Sequence, residues 1–152
     1  MKFGAGFFAI TQRNGDFLVL LGKRSQNSTY PGEWCPIGGG SEGDETPLET
    51  AKREFEEETL FGGKNGANSK FLDLKLLKIQ QKGPKRPLYY LYLCHIPYFL
   101  PTPDHENEEI EWIKYEELSS LNPKHFSLKE ILSSEDDQDV IERFAKSCFK
   151  TK

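Results

Sequence analysis

No stretch of this chain comes near the ~20 consecutive apolar residues of a membrane span, so no transmembrane segment is expected. Cysteine is scarce: Cys35, Cys94 and Cys148 form an odd set without metal-ligand spacing. That argues against a disulfide framework and for reduced thiols in a cytoplasmic protein. Positive charge is not in surplus either. A formal net charge of −4 and a pI of about 5.5 provide no field that would gather a large nucleic acid or an anionic membrane. Repeats, low-complexity tracts and linkers are missing, and 152 residues suit one buried core but not two. A single domain over 1–152 is therefore expected. Lys2 and the apolar run Phe3–Ile10 imitate the start of a signal peptide, but Gln12 and Arg13 end that run with no small-residue cleavage site. A buried strand is the expectation there.

Acid, by contrast, is concentrated. Eight of the 24 acidic residues fall in Glu42–Glu58, beside only two basic ones, Lys52 and Arg53. From Gly38 to Gly63 the stretch GGGSEGDETPLETAKREFEEETLFGG reads as a glycine loop, a helix and a glycine stop. Thr46 is placed to N-cap, Pro47 suits the first helical position, Glu49 completes a capping box, and Asp44 and Glu45 favour the positive end of the dipole. Leu48, Ala51 and Phe55 fall on one side as a core-facing stripe. Glu54, Glu57 and Glu58 share the adjacent face, with side chains about 5–6 Å apart. Partly buried, at an effective dielectric of about 20, each such pair would cost roughly 2–3 kcal/mol. A hard divalent cation that also grips phosphates would relieve that cost. A solvated face of Glu56, Glu57 and Glu58, with Lys52 and Arg53 as partners, fits the bare pattern equally well.

Spacing decides between the two. Gly39 is followed after five residues by Glu45, after seven more by Arg53-Glu54, then Phe55, one residue, Glu57-Glu58, Thr59, Leu60 and Phe61. This resembles the signature of the Nudix (MutT-like) hydrolases. At average residue usage, six matches among Gly, Glu and Arg at fixed offsets arise by chance on the order of 10⁻⁷ per window. One position departs: Leu60 stands where the family has its last Gly, with Gly62 and Gly63 just beyond. A Gly there would supply the left-handed residue that stops a helix, and Leu would be strained, so the stop is expected to move to Gly62.

Elsewhere, Phe3–Thr11 and Phe17–Leu21 read as a hairpin around Arg13-Asn14-Gly15-Asp16. Lys23 and Arg24 end its second strand, positioned either to hold phosphate oxygens or to face solvent. Tyr30-Pro31-Gly32-Glu33-Trp34 turns into a short strand over Trp34–Ile37 and looks like the lead-in of many Nudix domains. Trp34 would stack on a nucleobase or pack beside the strand. Phe71–Gln80 and Leu88–Tyr98 form a second hairpin about a basic turn with Lys82, Lys85 and Arg86, and His95 is expected as a core residue. An acidic loop, Leu100–Glu109, leads to a strand at Ile110–Ile113. Helices are expected over Ser127–Leu132 and Asp136–Phe149, the latter amphipathic through Val140, Ile141, Phe144, Ala145 and Cys148.

The resemblance implies an α/β fold, a Nudix-type α/β/α sandwich around a mixed sheet. It implies Mg²⁺, with Mn²⁺ as a substitute, held by Glu54, Glu57, Glu58 and Gly38, and catalysis by Glu57, Arg53, Glu54 and Glu58. Arg53 and Glu45 would pair to orient the carboxylates, and Arg24, Gly39, Gly40 and Trp34 would meet the substrate. The base would be Glu57 or one of Glu106, Glu108 and Glu109. The substrate class is a nucleoside diphosphate derivative, with a nucleoside triphosphate, oxidised or not, favoured over ADP-ribose or a dinucleoside polyphosphate. Two competing readings are isomerisation of an isoprenoid diphosphate, which would need a second acid or thiol near Cys35, and a non-catalytic nucleotide- or protein-binding module. Asn122 is the candidate base-reading residue. The partner is a small-molecule nucleotide, and the chain is expected as a monomer or homodimer.

Overall fold

The computed structural model describes residues 2–61, 70–103 and 106–149. Its centre is β1 (Gly4–Arg13), buried from Gly4 to Thr11, as a strand covered on both faces must be. Asn14 and Gly15, at φ 53° and 83°, turn the chain into β2 (Asp16–Arg24). Two successive positive φ angles match the twist of the flanking strands, which is why Asn-Gly serves there. Along one edge, β1 pairs antiparallel with β2 through its second half and with β4 (Ile37–Gly40) through its first. On the other edge it runs parallel to β6 (Tyr89–His95), which pairs antiparallel with β5 (Asp73–Gln80). Next to β2 lie β3 (Trp34–Cys35) and β7 (Asn107–Lys114). One parallel pairing among antiparallel ones makes the sheet mixed.

Period-two alternation along β1 sends side chains to two cores. Ala5, Phe7 and Ala9 join Ala51 and Phe55 of α1 (Pro47–Thr59) on one face. Phe8 and Ile10 join Leu128 and Ile131 of α2 (Phe126–Leu132) and Ile141 and Ala145 of α3 (Glu135–Cys148) on the other. The architecture is the expected α/β/α sandwich. Tyr115–Ser120, a 3-10 turn after β7, supplies Leu118 to the second core. Among the described residues, no helix is long and apolar enough to cross a membrane.

Two expectations are corrected. The glycines are not a loop: Gly38, Gly39 and Gly40 are extended and pair with Gly6, Ala5 and Gly4. Pro36 separates them from Trp34–Cys35, so the single short strand becomes β3 and β4. A β-carbon on Gly38 would strike the Tyr89 hydroxyl and the Ala5 carbonyl, so close backbone approach rather than turning fixes glycine there.

The helix stop also differs. It falls at Leu60, not Gly62, with Leu60 left-handed at φ 57° and ψ 29° and its N–H donating to the Glu56 carbonyl at 2.9 Å. Phe61 explains this: it is buried among Phe55, Phe71 and Phe99. Continuing the helix would rotate Phe61 about 100° away from that pocket. Thr59 secures the break, its hydroxyl donating to the Phe55 carbonyl at 2.7 Å and accepting the Phe61 N–H at 3.1 Å. Gly62, Gly63 and the polar loop 64–69 lie outside the described residues.

Candidate active site on the acidic helix

The start of α1 is built as its sequence dictates. Thr46 Oγ1 accepts the Glu49 N–H at 3.2 Å, and Glu49 Oε1 accepts the Thr46 N–H at 2.9 Å, a reciprocal capping box. Phe55, fully buried and edge-on to Phe7 at 5.7 Å, then sets the rotation of the helix. With that rotation fixed, Arg53, Glu54, Glu57 and Glu58 face β4 and the ends of β2 and β7.

Arg53 is the hub. Its Nε and Nη2 donate to Glu45 at 2.6 and 3.0 Å, a two-pronged contact, and Nη2 also donates to the Gly40 carbonyl at 2.9 Å. Nη1 reaches Glu57 at 3.2 Å and lies 3.6 Å from Glu54. The guanidinium thereby ties the helix to the glycine strand. Its hydrogen bonds hold Glu45 down to about pKa 2, and Glu45 in turn raises Arg53 above its ordinary value.

Glu54 is 16% exposed, and its carboxylate lies so close to Gly39 that a β-carbon there would land on it. Burial pushes its pKa up to about 7, opposed by Arg53 and reinforced by Glu106, Glu57 and Glu42. Glu58 is 2% exposed and accepts from Asn107 Nδ2 at 2.9 Å, whereas Glu57 is 60% exposed at the rim. The solvated-face reading therefore fails for Glu58 and holds for the exposed Glu57. Buried carboxylates on one face of a helix fit a hard divalent cation, which takes oxygen donors and offsets the cost of holding Glu54 and Glu58 ionised away from water.

Beside this group opens a cavity of about 250 Å³, lined by Arg24, Tyr30, Cys35, Gly38, Gly39, Gly40 and His125 among others. Arg24 is thus brought to the glycines, with Nη1 3.8 Å from Glu106. Lys23 is not: it pairs with Glu108 at 3.9 Å and Glu109 at 3.4 Å. Glu108 and Glu109, expected in a loop, lie in β7, and of the three carboxylates Glu106 alone stands beside Arg24 and acts on Glu54. A β-bulge at Lys23/Arg24, which sets Asn107 opposite Arg24, produces this division.

Trp34 is not among the cavity-lining residues. It packs against the second core, held by its N–H to the Pro123 carbonyl at 3.0 Å and its carbonyl to the His125 N–H at 2.9 Å. Tyr30 and His125, in edge contact at 4.9 Å, share the cavity wall with the ring of Tyr89. Asn122 is exposed, which defeats it as a base reader. Burial lowers His125 to about 4, so it is neutral at physiological pH, while burial pushes the Cys35 thiol up to about 12. A thiol that reluctant to ionise, and alone at the cavity, does not support isomerase chemistry.

Sequence reasoning missed Asn107, Tyr30 and His125. Asn107 had no signal among four neighbouring glutamates. Tyr30 stood in the turn already singled out for Trp34.

A NUDIX domain model matches residues 2–134. The nucleoside triphosphatase NudI of Enterobacter sp. (strain 638) is 31% identical over 121 residues, covering 74% of this chain and 83% of that protein. The crystal structure of the Nudix hydrolase RenU from M. smegmatis superposes with a TM-score of 0.74 at 19% identity, covering 99% of this chain and 89% of that one. The NUDIX domain of Shewanella oneidensis NrtR, crystallised with ADP ribose, gives 0.71 at 17% identity over 93% and 87%.

Proposed function

The chain belongs to the NUDIX domain family and is a pyrophosphohydrolase of that family, and from this premise we propose that it cleaves a nucleoside triphosphate to the monophosphate and pyrophosphate. The observation that carries the proposal is Arg53 reaching Glu54 and Glu57 at once, with the Glu54 carboxylate against Gly39 on the wall of a cavity that Gly38–Gly40 and Arg24 line.

Glu54, Glu57 and Glu58, with Gly38, are the proposed holders of Mg²⁺. When bound, the ion supplies Lewis acidity to the phosphoryl oxygens and to the attacking water. Arg53 orients the carboxylates by fastening Glu45 and the Gly40 carbonyl to one guanidinium. Arg24 offers a forked donor to phosphate oxygens, and the glycine strand presents its backbone to the cavity beside it. Water attacks a phosphorus of the diphosphate. Glu106 is the proposed base that takes its proton, with Glu57 the second candidate. Tyr30 and His125 flank the nucleoside, taking the place first given to Trp34.

The triphosphate is favoured by the Enterobacter relative, which is a nucleoside triphosphatase. ADP-ribose is the second reading, favoured by the NrtR structure. A panel of nucleoside triphosphates, ADP-ribose and dinucleoside polyphosphates, with and without Mg²⁺, separates them by the products released. Pyrophosphate appearing only with metal and only from triphosphates is the expected result. No turnover of any substrate would leave a binding module instead.

A further inference from the structure

Away from the acidic helix, three unlike metal-binding side chains meet at the opposite end of the sheet. Asp73 opens β5, His95 closes β6 directly across from it, and Cys148 ends α3. Asp73 Oδ2 lies 3.6 Å from His95 Nδ1 and 3.5 Å from Cys148 Sγ, and the three donor atoms all fall within 4.8 Å of one another. Tetrahedral zinc with one oxygen, one nitrogen and one sulfur ligand needs donor separations of about 3.4–3.6 Å. Two of the three are already met.

We propose that Asp73, His95 and Cys148 form a zinc site, with its fourth position open to water. His95 supplies the independent sign. Its Nδ1 is inaccessible to solvent and makes no hydrogen bond, a cost that a ligand would remove. The ring is held in edge contact with Phe149, 5.4 Å away, and Asp73 is 56% exposed, leaving a way in. A mixed N, S, O set suits borderline-soft zinc and disfavours Mg²⁺, so this site and the acidic cluster differ in the ion they select. Binding forms a zinc–sulfur bond and sends the Cys148 thiol proton to solvent, with no change of oxidation state. The ion fastens the last turn of α3 to the β5–β6 edge.

Cobalt titration of the whole chain in excess Mg²⁺ tests this, because only a thiolate ligand produces the sulfur-to-cobalt charge-transfer band. One equivalent is expected to develop the band. Cys148→Ser is expected to abolish it, and Asp73→Asn to weaken cobalt binding at least about tenfold. Zinc is expected to raise the thermal midpoint of the parent protein and not that of Cys148→Ser. Absence of the band in the parent, or an undiminished band in Cys148→Ser with Cys35 and Cys94 intact, would overturn the proposal. Neither readout requires hydrolysis, so the two sites stand or fall separately.

Discussion

Helices α1 and α3 are close in length and begin alike, each with a hydroxyl accepting an N–H three residues on: Thr46 from Glu49 at 3.2 Å, Ser134 from Asp137 at 3.1 Å. They part in what they bury. The fully buried residues of α3 are Ile141 and Ala145, and two of its acids are each paired with a cation: Asp139 with Arg143 at 3.1 Å in the open, and the largely covered Asp137 with Lys78 at 2.9 Å. Beneath α1, Ala51 and Phe55 are joined by Thr50, Thr59 and Glu58. Burying a carboxylate opposes folding unless something pairs with it. The fully buried acid Glu58 separates α1 from α3, and it lies on the face where the catalytic site is proposed.

This contrast can be broken, beginning with activity. Glu57→Gln removes one rim carboxylate and is expected to lower kcat roughly 10²–10⁴-fold, with stability changed by less than about 0.5 kcal/mol because Glu57 is exposed. Steady-state kinetics and a denaturant melt check both halves. Truncating the anchors comes next: Phe55→Ala under α1 is expected to cost about 3–5 kcal/mol and Ile141→Ala under α3 about 2–5 kcal/mol. Urea unfolding would show the two helices to be equals as packing elements.

The pH dependence of metal-free protein sharpens the difference further. Burial raises Glu54 from its ordinary value to about 7, so the folded state holds that proton more tightly than the unfolded chain. Stability should then fall as pH rises from about 4.5 to 7, by about 1–2 kcal/mol after solvent screening. Glu54→Gln should flatten that segment of the curve, whereas Asp139→Asn on α3 should leave it unchanged. At the small end, Leu60→Gly should stabilise the protein by about 1 kcal/mol, since only glycine is at ease at φ 57°. A thermal shift of a few degrees would register it.

What the sequence disclosed was local. The capping box joins side chains to backbone three residues away, and the hairpin turn is carried by Asn14 and Gly15 alone; both could be read directly. Leu60 could not, because its conformation is imposed by Phe61 packing on residues far along the chain. The glycines looked like a loop because their partner, the first half of β1, is invisible to composition. Spacing alone proposed Glu54, Glu57 and Glu58 as a group. The separation of Glu106 from Glu108 and Glu109 depends on a bulge between two strands, and the exchange of Trp34 for Tyr30 and His125 on how two distant loops meet. Neither leaves a periodic trace.

The parallel pairing of β1 with β6 sets Gly4 opposite Tyr89 and Ile10 opposite His95. During synthesis, the first hairpin leaves the ribosome long before its permanent neighbour exists. Until β6 emerges, one edge of this deeply buried strand has no intramolecular mate, and pairings so distant along the chain close slowly. Nascent chains halted before Tyr89 should therefore be the aggregation-prone ones, and those extended past His95 should resist protease.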